Sequence, residues 1–396
     1  MRKIWELQSM QAAPLSVKIA LTKDRIREWV NQYGEDGVYV SFSGGKDSTV
    51  LLTIAREMFP SIKGVYVDTG LEYPEVRNFV RTWDNVEWLK PKLTFKQVIE
   101  KYGYPFISKE VSERVYYAQR YLTWLKQQET LDRPTDRPCP SAYGMTELLH
   151  LRVDKDLKKW NKITETIPYA VLKQAVEQGG RGVYKLRELL GLNTQKDGSN
   201  SVFNYSRYVW AAGSPYRISN KCCDVMKKAP AHSYITKTGR HPMLATMATE
   251  SKLRTTDWLR NGCNGFNMKR PRSTPMSFWT EQDVLLYIHQ HKIPIASVYG
   301  EVIKEKEVDG QLDFEDLGIF DLGLPMLKTT GCKRTGCMFC GFGCHLEKPG
   351  EGRFERMKVT HPKQYEYIMK PWADGGLGYK QIIDWLNEHG NLDIRY

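Results

Sequence analysis

A chain of 396 residues with 41% hydrophobic content can bury a sizeable core and suggests about two or three domains. It contains no long low-complexity tract, and no apolar run reaches the length of a membrane span. The formal charge of +12 is concentrated, since residues 217–272 carry twelve Lys/Arg against three acidic residues, a local excess of +9. Such a surface attracts polyanions, with nucleic acid and a nucleotide as the candidates and an ordinary solvated basic face as the plain alternative. The opening Met1-Arg2-Lys3-Ile4-Trp5-Glu6 lacks the apolar centre of a secretion signal, so a soluble, cytoplasmic protein is expected. Eight cysteines in that setting point to metal ligation or redox chemistry rather than disulfides.

In chain order, residues 15–33 read as an amphipathic helix closed by Gly34, and 38–42 as an alternating β-prone strand. The strand enters Ser43-Gly44-Gly45-Lys46-Asp47-Ser48, after which helical spacing takes over to residue 56. A second strand at 62–68 ends in Asp68-Thr69-Gly70; a helix at 74–83, a strand at 86–89 and a helix at 94–102 follow. This alternation predicts βαβ units, and hence a parallel sheet with helices on both faces and ligands at the carboxyl ends of its strands.

From 108 to about 204 the β pattern fades. Helices are expected at 110–128, 148–161 and 169–190, with a proline-rich loop at 132–140. The sheet pattern resumes at 242–248, with helices at 251–260 and 280–291. An acidic, turn-rich stretch at 301–324 precedes a cysteine cluster and helices near 361–369 and 379–389. The expected organisation is an α/β domain in two parts, 1–107 and 216–300, a mostly helical insertion at 108–215, and a cysteine-rich metal-binding region with a helical tail at 301–396.

The 43–48 turn is the most specific signal. Successive backbone N–H groups, two of them on glycines that tolerate positive φ, converge at a helix N-terminus and form an anion nest. Ser43 and Ser48 add hydroxyls and Lys46 adds a cation, which suits a phosphate or pyrophosphate. A turn that merely joins strand to helix is the plain alternative. The hexapeptide resembles the PP-loop of the ATP pyrophosphatase superfamily, whose members cleave ATP between the α and β phosphates; a Walker A loop has wider spacing. The resemblance implies an adenine nucleotide alpha hydrolase-like fold. It also implies ATP contacts from Ser41, Phe42, Ser43, Gly44, Gly45, Lys46, Asp47 and Ser48, the last three of them catalytic.

Two cysteine groups stand out: Lys221-Cys222-Cys223-Asp224, opening a short basic helix expected to end near Pro230, and Cys332-x4-Cys337-x2-Cys340-x3-Cys344. A Cys-x-x-Cys turn places two thiolates on one metal, while adjacent cysteines suit two corners of a cubane better than one tetrahedral ion. Together with Asp68-Thr69-Gly70, these groups resemble the phosphoadenosine phosphosulfate reductase family over roughly residues 38–110 and 217–345. The resemblance implies a [4Fe–4S] cluster on Cys222, Cys223, Cys337 and Cys340, as in the adenylylsulfate reductase branch. Cys332 and Cys344 are alternative ligands, and the last four cysteines alone could hold a cluster or a structural Zn²⁺. Cys139 and Cys263 read as ordinary thiols, and His345 as structural.

The same resemblance assigns Asp68, Thr69, Gly70, Glu250, Ser251 and Arg254 to the nucleotide, although a lone helical arginine is often a surface cation. Asp47 and Asp68 are candidates for Mg²⁺, or for caps of a helix or turn. Arg260, Lys269, Arg270 and Arg272, interleaved with Trp258 and Phe266, offer either a nucleic-acid track with stacking platforms or core aromatics beside solvated cations.

Two chemistries compete. Reductases of the family attack adenylylsulfate or phosphoadenylylsulfate with a thiolate from a C-terminal Glu-Cys-Gly motif, and their phosphate loop is degenerate. This sequence has an intact loop and no cysteine after Cys344. The expected function is therefore cleavage of ATP to AMP and pyrophosphate, which adenylates an acceptor for Fe–S-assisted sulfur transfer. The acceptor would be tRNA or DNA, with a cysteine desulfurase or other sulfur donor as partner and persulfide on Cys222 and Cys223, or on Cys332 and Cys344. Sulfonucleotide reduction, a sulfate adenylyltransferase-like subunit and a non-enzymatic nucleotide-binding subunit are the alternatives.

Overall fold

The computed structural model describes residues 3–129, 167–178, 183–304 and 326–396. The proline-rich loop with Cys139, the helix expected at 148–161 and residues 305–324 of the acidic stretch lie outside the described residues. The chain divides into two compact units, Met1–Pro91 with Lys228–Cys337, and Lys92–Lys227 with Met338–Tyr396. The described residues of 108–215 thus share one unit with residues 338–396.

The first unit opens with helices α1 (Ile4–Ala12) and α2 (Leu15–Tyr33), then alternates β1 (Val38–Ser41), α3 (Lys46–Met58), β2 (Lys63–Val67), α4 (Pro74–Arg81) and β3 (Val86–Leu89). The sheet order is β3, β2, β1, His241–Met243, Arg272–Ser273, Asn264–Gly265. Every pairing is parallel except the outermost, between Asn264–Gly265 and Arg272–Ser273. Alternation along β1 explains the layers. Val38 and Val40 enter the main core with Ile26 and Trp29 of α2 and Leu51 and Ile54 of α3. Tyr39, with Val65 of β2, faces the other way and packs against Tyr234 and Ile235 of the helix Ala229–Thr238. Helices therefore cover both faces, because each strand carries apolar side chains at successive positions.

The strand expected at 242–248 is shorter than its sequence pattern, extending only over His241–Met243. Beyond it the backbone finds partners outside the ladder: Ala248 N–H donates to the Ser277 carbonyl and Met247 N–H to Glu250 Oε2, and a 3₁₀ turn forms over Ala248–Glu250. Pro230 does not end its helix either. It follows a π-helical stretch over Asp224–Lys228 and lies near the start of Ala229–Thr238, so the helical run continues through it.

In the second unit a parallel pair joins Phe106–Ile107 to Gly341–Phe342, next to the helix Lys109–Glu129. Gly341 is required there, since a Cβ on it would stand 2.5 Å from Phe106 Cδ1. The stretch expected as one helix over 169–190 comprises Ile167–Gln178 and Val183–Leu190. Arg114 and Glu188, both buried, pair at 2.7 Å and tie the Val183–Leu190 helix to Lys109–Glu129. No described helix is long and apolar enough to cross a membrane.

Candidate nucleotide site and cysteine centre

The carboxyl ends of β1 and β2 carry residues 41–48 and 68–70, and Glu250, Ser251 and Arg254 lie in the same first unit. Ser41 ends β1 and Phe42 anchors the loop in the core, its N–H donating to the Val65 carbonyl at 2.9 Å. Ser43 N–H donates to Ser48 Oγ at 3.1 Å, the two hydroxyl oxygens lie 3.0 Å apart, and Ser48 Oγ donates to the Gly45 carbonyl at 2.9 Å. These bonds curl the loop over the first turn of α3. Gly44 has φ +70° and Gly45 is the N-cap, so the amides are arranged for an anion.

Lys46 is only 4% exposed. Its ammonium donates to Glu281 and to the Lys333 carbonyl, the latter at 2.8 Å, and its backbone N–H donates to the Tyr299 hydroxyl at 3.3 Å. Burial pushes the Tyr299 phenol up to about 12, so it stays neutral and shares a 2.6 Å hydrogen bond with Thr335 Oγ1. Glu281 opens a helix whose start is pinned by a capping box between Thr280 and Asp283 and by Lys18, which donates to Asp283 at 2.6 Å. Glu281, Tyr299, Lys333 and Thr335 escape sequence reasoning because they lie more than 230 positions from the loop. The capping box at 280–283 is the one local signal that could have flagged a fixed helix start there.

Asp47 and Asp68 differ. Asp47 Oδ1 is buried without a hydrogen-bond partner among the described residues, and burial pushes its carboxyl up, against the pull of Lys46. Asp68 is already neutralised by Arg77 at 2.6 Å and accepts the Gly70 N–H at 3.3 Å. Thr69 is held by Glu72 through both its N–H and its hydroxyl. An acid whose folded pKa is raised lends stability that is complete below its unfolded pKa and is lost as pH rises through the folded one. Asp47→Asn is therefore expected to raise the melting temperature at pH 7 relative to wild type, and the gain should vanish below about pH 4. Melts at both pH values check this; a gain independent of pH would sink it.

Glu250 pairs with Arg254 and lies 3.9 Å from Arg334, while Ser251 Oγ accepts the Arg254 N–H at 3.3 Å and caps the helix Lys252–Asn261. Arg254 acts electrostatically on Asp47, so Glu250, Ser251 and Arg254 are brought to the loop. Of the two readings open for Trp258 and Phe266, core packing is the one the structure supports. Trp258 is buried, its Nε1–H donating to buried Cys263 Sγ at 3.4 Å, and Phe266 packs on Trp29 at 5.1 Å. Burying these rings gains more than exposing them to water. Among the cations, Arg272 pairs with Asp257 at 2.9 Å and Arg270 with His232 at 2.9 Å; Arg260 lies in the last turn of Lys252–Asn261, and Lys269 is exposed.

The cysteines fall in both units. Cys332 and Cys337 belong to the first, with Cys332 Sγ 3.2 Å from the Arg334 carbonyl and Cys337 near Tyr66. Cys222, Cys223, Cys340 and Cys344 belong to the second. The Sγ atoms of Cys222 and Cys223 lie 4.0 Å apart, and the Cys223 thiol is pulled down to about 6 by Cys222, with Lys109 and Lys227 assisting. Cys344 is buried, donates to the Gly341 carbonyl at 2.8 Å and is pushed up to about 12 by that burial. Cys340, Cys222 and Cys344 all act on the buried Tyr379 phenol, which burial and these thiols raise. Among the described residues no three His, Cys, Asp or Glu groups converge on one ion. His345 is half-buried and held neutral by burial.

A mostly parallel sheet with a glycine–lysine loop at the end of β1 defines a PP-loop-like α/β protein. The chain belongs to the phosphoadenosine phosphosulfate reductase domain family, whose domain matches residues 37–130 and 181–341, more than half of its length. It is also 37% identical over 73 residues to a protein of Methanocaldococcus jannaschii described only as uncharacterized. That match spans 17% of this chain and 18% of the relative, so the chain covers less than a fifth of the relative's length.

Proposed function

We propose that the protein is a PP-loop ATP pyrophosphatase that splits ATP into AMP and pyrophosphate and adenylates an acceptor for sulfur transfer. The observation that supports this most is the complete loop, with Lys46 buried at the N-terminus of α3 where pyrophosphate charge would develop. Lys46 and the amides of residues 44–48 would stabilise the departing pyrophosphate, with Lys46 exchanging Glu281, the Lys333 carbonyl and the Tyr299 hydroxyl for the ligand. Ser48 would hold a phosphate oxygen, and Arg254, kept in place by Glu250, would offset further charge. Asp47, whose buried Oδ1 has no hydrogen-bond partner among the described residues, suits Mg²⁺, which when bound would neutralise phosphate charge; Asp68, held by Arg77, would set the pocket wall instead.

The second unit supplies a soft, thiolate-capable donor set suited to iron–sulfur. The family resemblance assigns a [4Fe–4S] cluster to Cys222, Cys223, Cys337 and Cys340, with Cys332 and Cys344 as alternative ligands; Cys344, buried and bonded to the Gly341 carbonyl, is the least ready to act as a thiolate. Such a cluster would supply an iron site for sulfur. The local excess of +9 at 217–272 supports a polyanionic acceptor such as tRNA or DNA, with a cysteine desulfurase as sulfur donor.

Anaerobically purified protein tests this through an iron count and two assays: pyrophosphate release from ATP with tRNA or DNA added, and sulfite release from adenylylsulfate with thioredoxin. Acceptor-stimulated pyrophosphate release with about four irons per chain is expected. Sulfite release without ATP cleavage would make the protein a sulfonucleotide reductase.

A further inference from the structure

Two residues of the segment between Cys332 and Cys337, Lys333 and Thr335, lie against the phosphate loop. The Lys333 carbonyl accepts from Lys46 Nζ at 2.8 Å. Thr335 Oγ1 shares a 2.6 Å hydrogen bond with the Tyr299 hydroxyl, which itself accepts the Lys46 amide. A Cβ added at Gly45 would lie 3.3 Å from that hydroxyl and 3.6 Å from Thr335 Oγ1, so the segment stands directly over the nest.

Arg334 lies between these two contacts. Its side chain is 64% exposed and stands 3.9 Å from Glu250 Oε1, the carboxylate that also holds Arg254. It acts on both Asp47 and Arg254, and two like charges that share one carboxylate beside an anion nest repel each other. One carboxylate cannot fill two planar guanidinium forks, each with five N–H donors. A bound polyanion would relieve that repulsion and fill the remaining donors. The same anion would compete with Glu281 and the Lys333 carbonyl for the Lys46 ammonium.

We propose that Arg334 is a binding residue for the polyphosphate of the nucleotide, and that nucleotide binding thereby repositions the segment and changes the accessibility of Cys332. This rests on the nucleotide reading of the loop. The segment exchanges its tie through Lys333 for one through Arg334, and Cys332, whose Sγ stands 3.2 Å from the Arg334 carbonyl, moves with it.

The test is calorimetric titration of wild type, Arg334→Ala and Arg334→Lys with MgATP and with inorganic pyrophosphate. It is paired with N-ethylmaleimide labelling of Cys332 read by peptide mass. Arg334→Ala should weaken both ligands about 10- to 50-fold, the loss of a charge-assisted contact. Arg334→Lys should recover part of the affinity, because its charge remains while the fork is lost. Ligand should change the Cys332 labelling rate in wild type and leave it unchanged in Arg334→Ala. Wild-type binding that Arg334→Ala does not weaken, or wild-type labelling indifferent to ligand, overturns this proposal alone. A wild-type protein that binds neither ligand overturns the nucleotide reading and this proposal with it.

Discussion

Replacing Lys46 with alanine is expected to lower pyrophosphate release from ATP about 10²- to 10³-fold while leaving the melting temperature within a few degrees. The large kinetic effect follows from position. The ammonium is 4% exposed and sits at the N-terminus of α3, so it acts in a poorly screened place where the leaving group would gather charge. The small stability effect follows from its partner. Glu281 is 41% exposed, so once Lys46 is gone its carboxylate can turn to water and carries no full buried-charge penalty. The double variant Lys46→Ala, Glu281→Gln should melt like the single one. Pyrophosphate release kinetics and thermal melts check both halves, and an unchanged rate would remove Lys46 from the chemistry.

Gly44→Ala should destabilise the fold by about 2–4 kcal/mol and abolish nucleotide binding. Two costs add. Gly44 has φ +70°, a conformation that costs an L side chain about 1 kcal/mol or more. Its Cβ would also stand 2.6 Å from Val80 Cγ2 and 2.8 Å from Val76 Cγ1, both buried valines of α4, and overpacking of that kind costs about 1–3 kcal/mol. Gly70→Ala isolates the first cost, because Gly70 has φ +74° but nothing within 4 Å of an added Cβ. Urea unfolding of the two variants should therefore show Gly44→Ala as clearly the more damaging. Equal costs would mean that the loop is not wedged against α4.

Much of the site was legible because its residues are local in the chain. The alternating 38–42 run, the two glycines and the helical spacing after Lys46 describe one strand–loop–helix unit, and local geometry suffices to form it. Glu250, Ser251 and Arg254 came from the resemblance to a family segment that opens a helix, and Ser251 caps the helix Lys252–Asn261. The stacking role of Trp258 and Phe266 was open in sequence, since an aromatic at helical or loop spacing serves a core or a surface equally well. Packing on Trp29 and Cys263 decided it for the core.

By itself the sequence determined the βαβ succession, the glycine–lysine loop and the two cysteine groups, because each is written in periodicity and spacing over a few dozen residues. Only the tertiary structure decided what surrounds Lys46. Glu281, Tyr299, Lys333 and Thr335 reach it from more than 230 positions away, through a sheet order that places late strands beside β1. It also decided the surroundings of the thiols: Cys344 is buried and donates to the Gly341 carbonyl, Cys332 stands 3.2 Å from the Arg334 carbonyl, and the Cys222 and Cys223 sulfurs lie 4.0 Å apart. Spacing fixes which thiols are neighbours along the chain, whereas burial and long-range packing fix which of them share an environment.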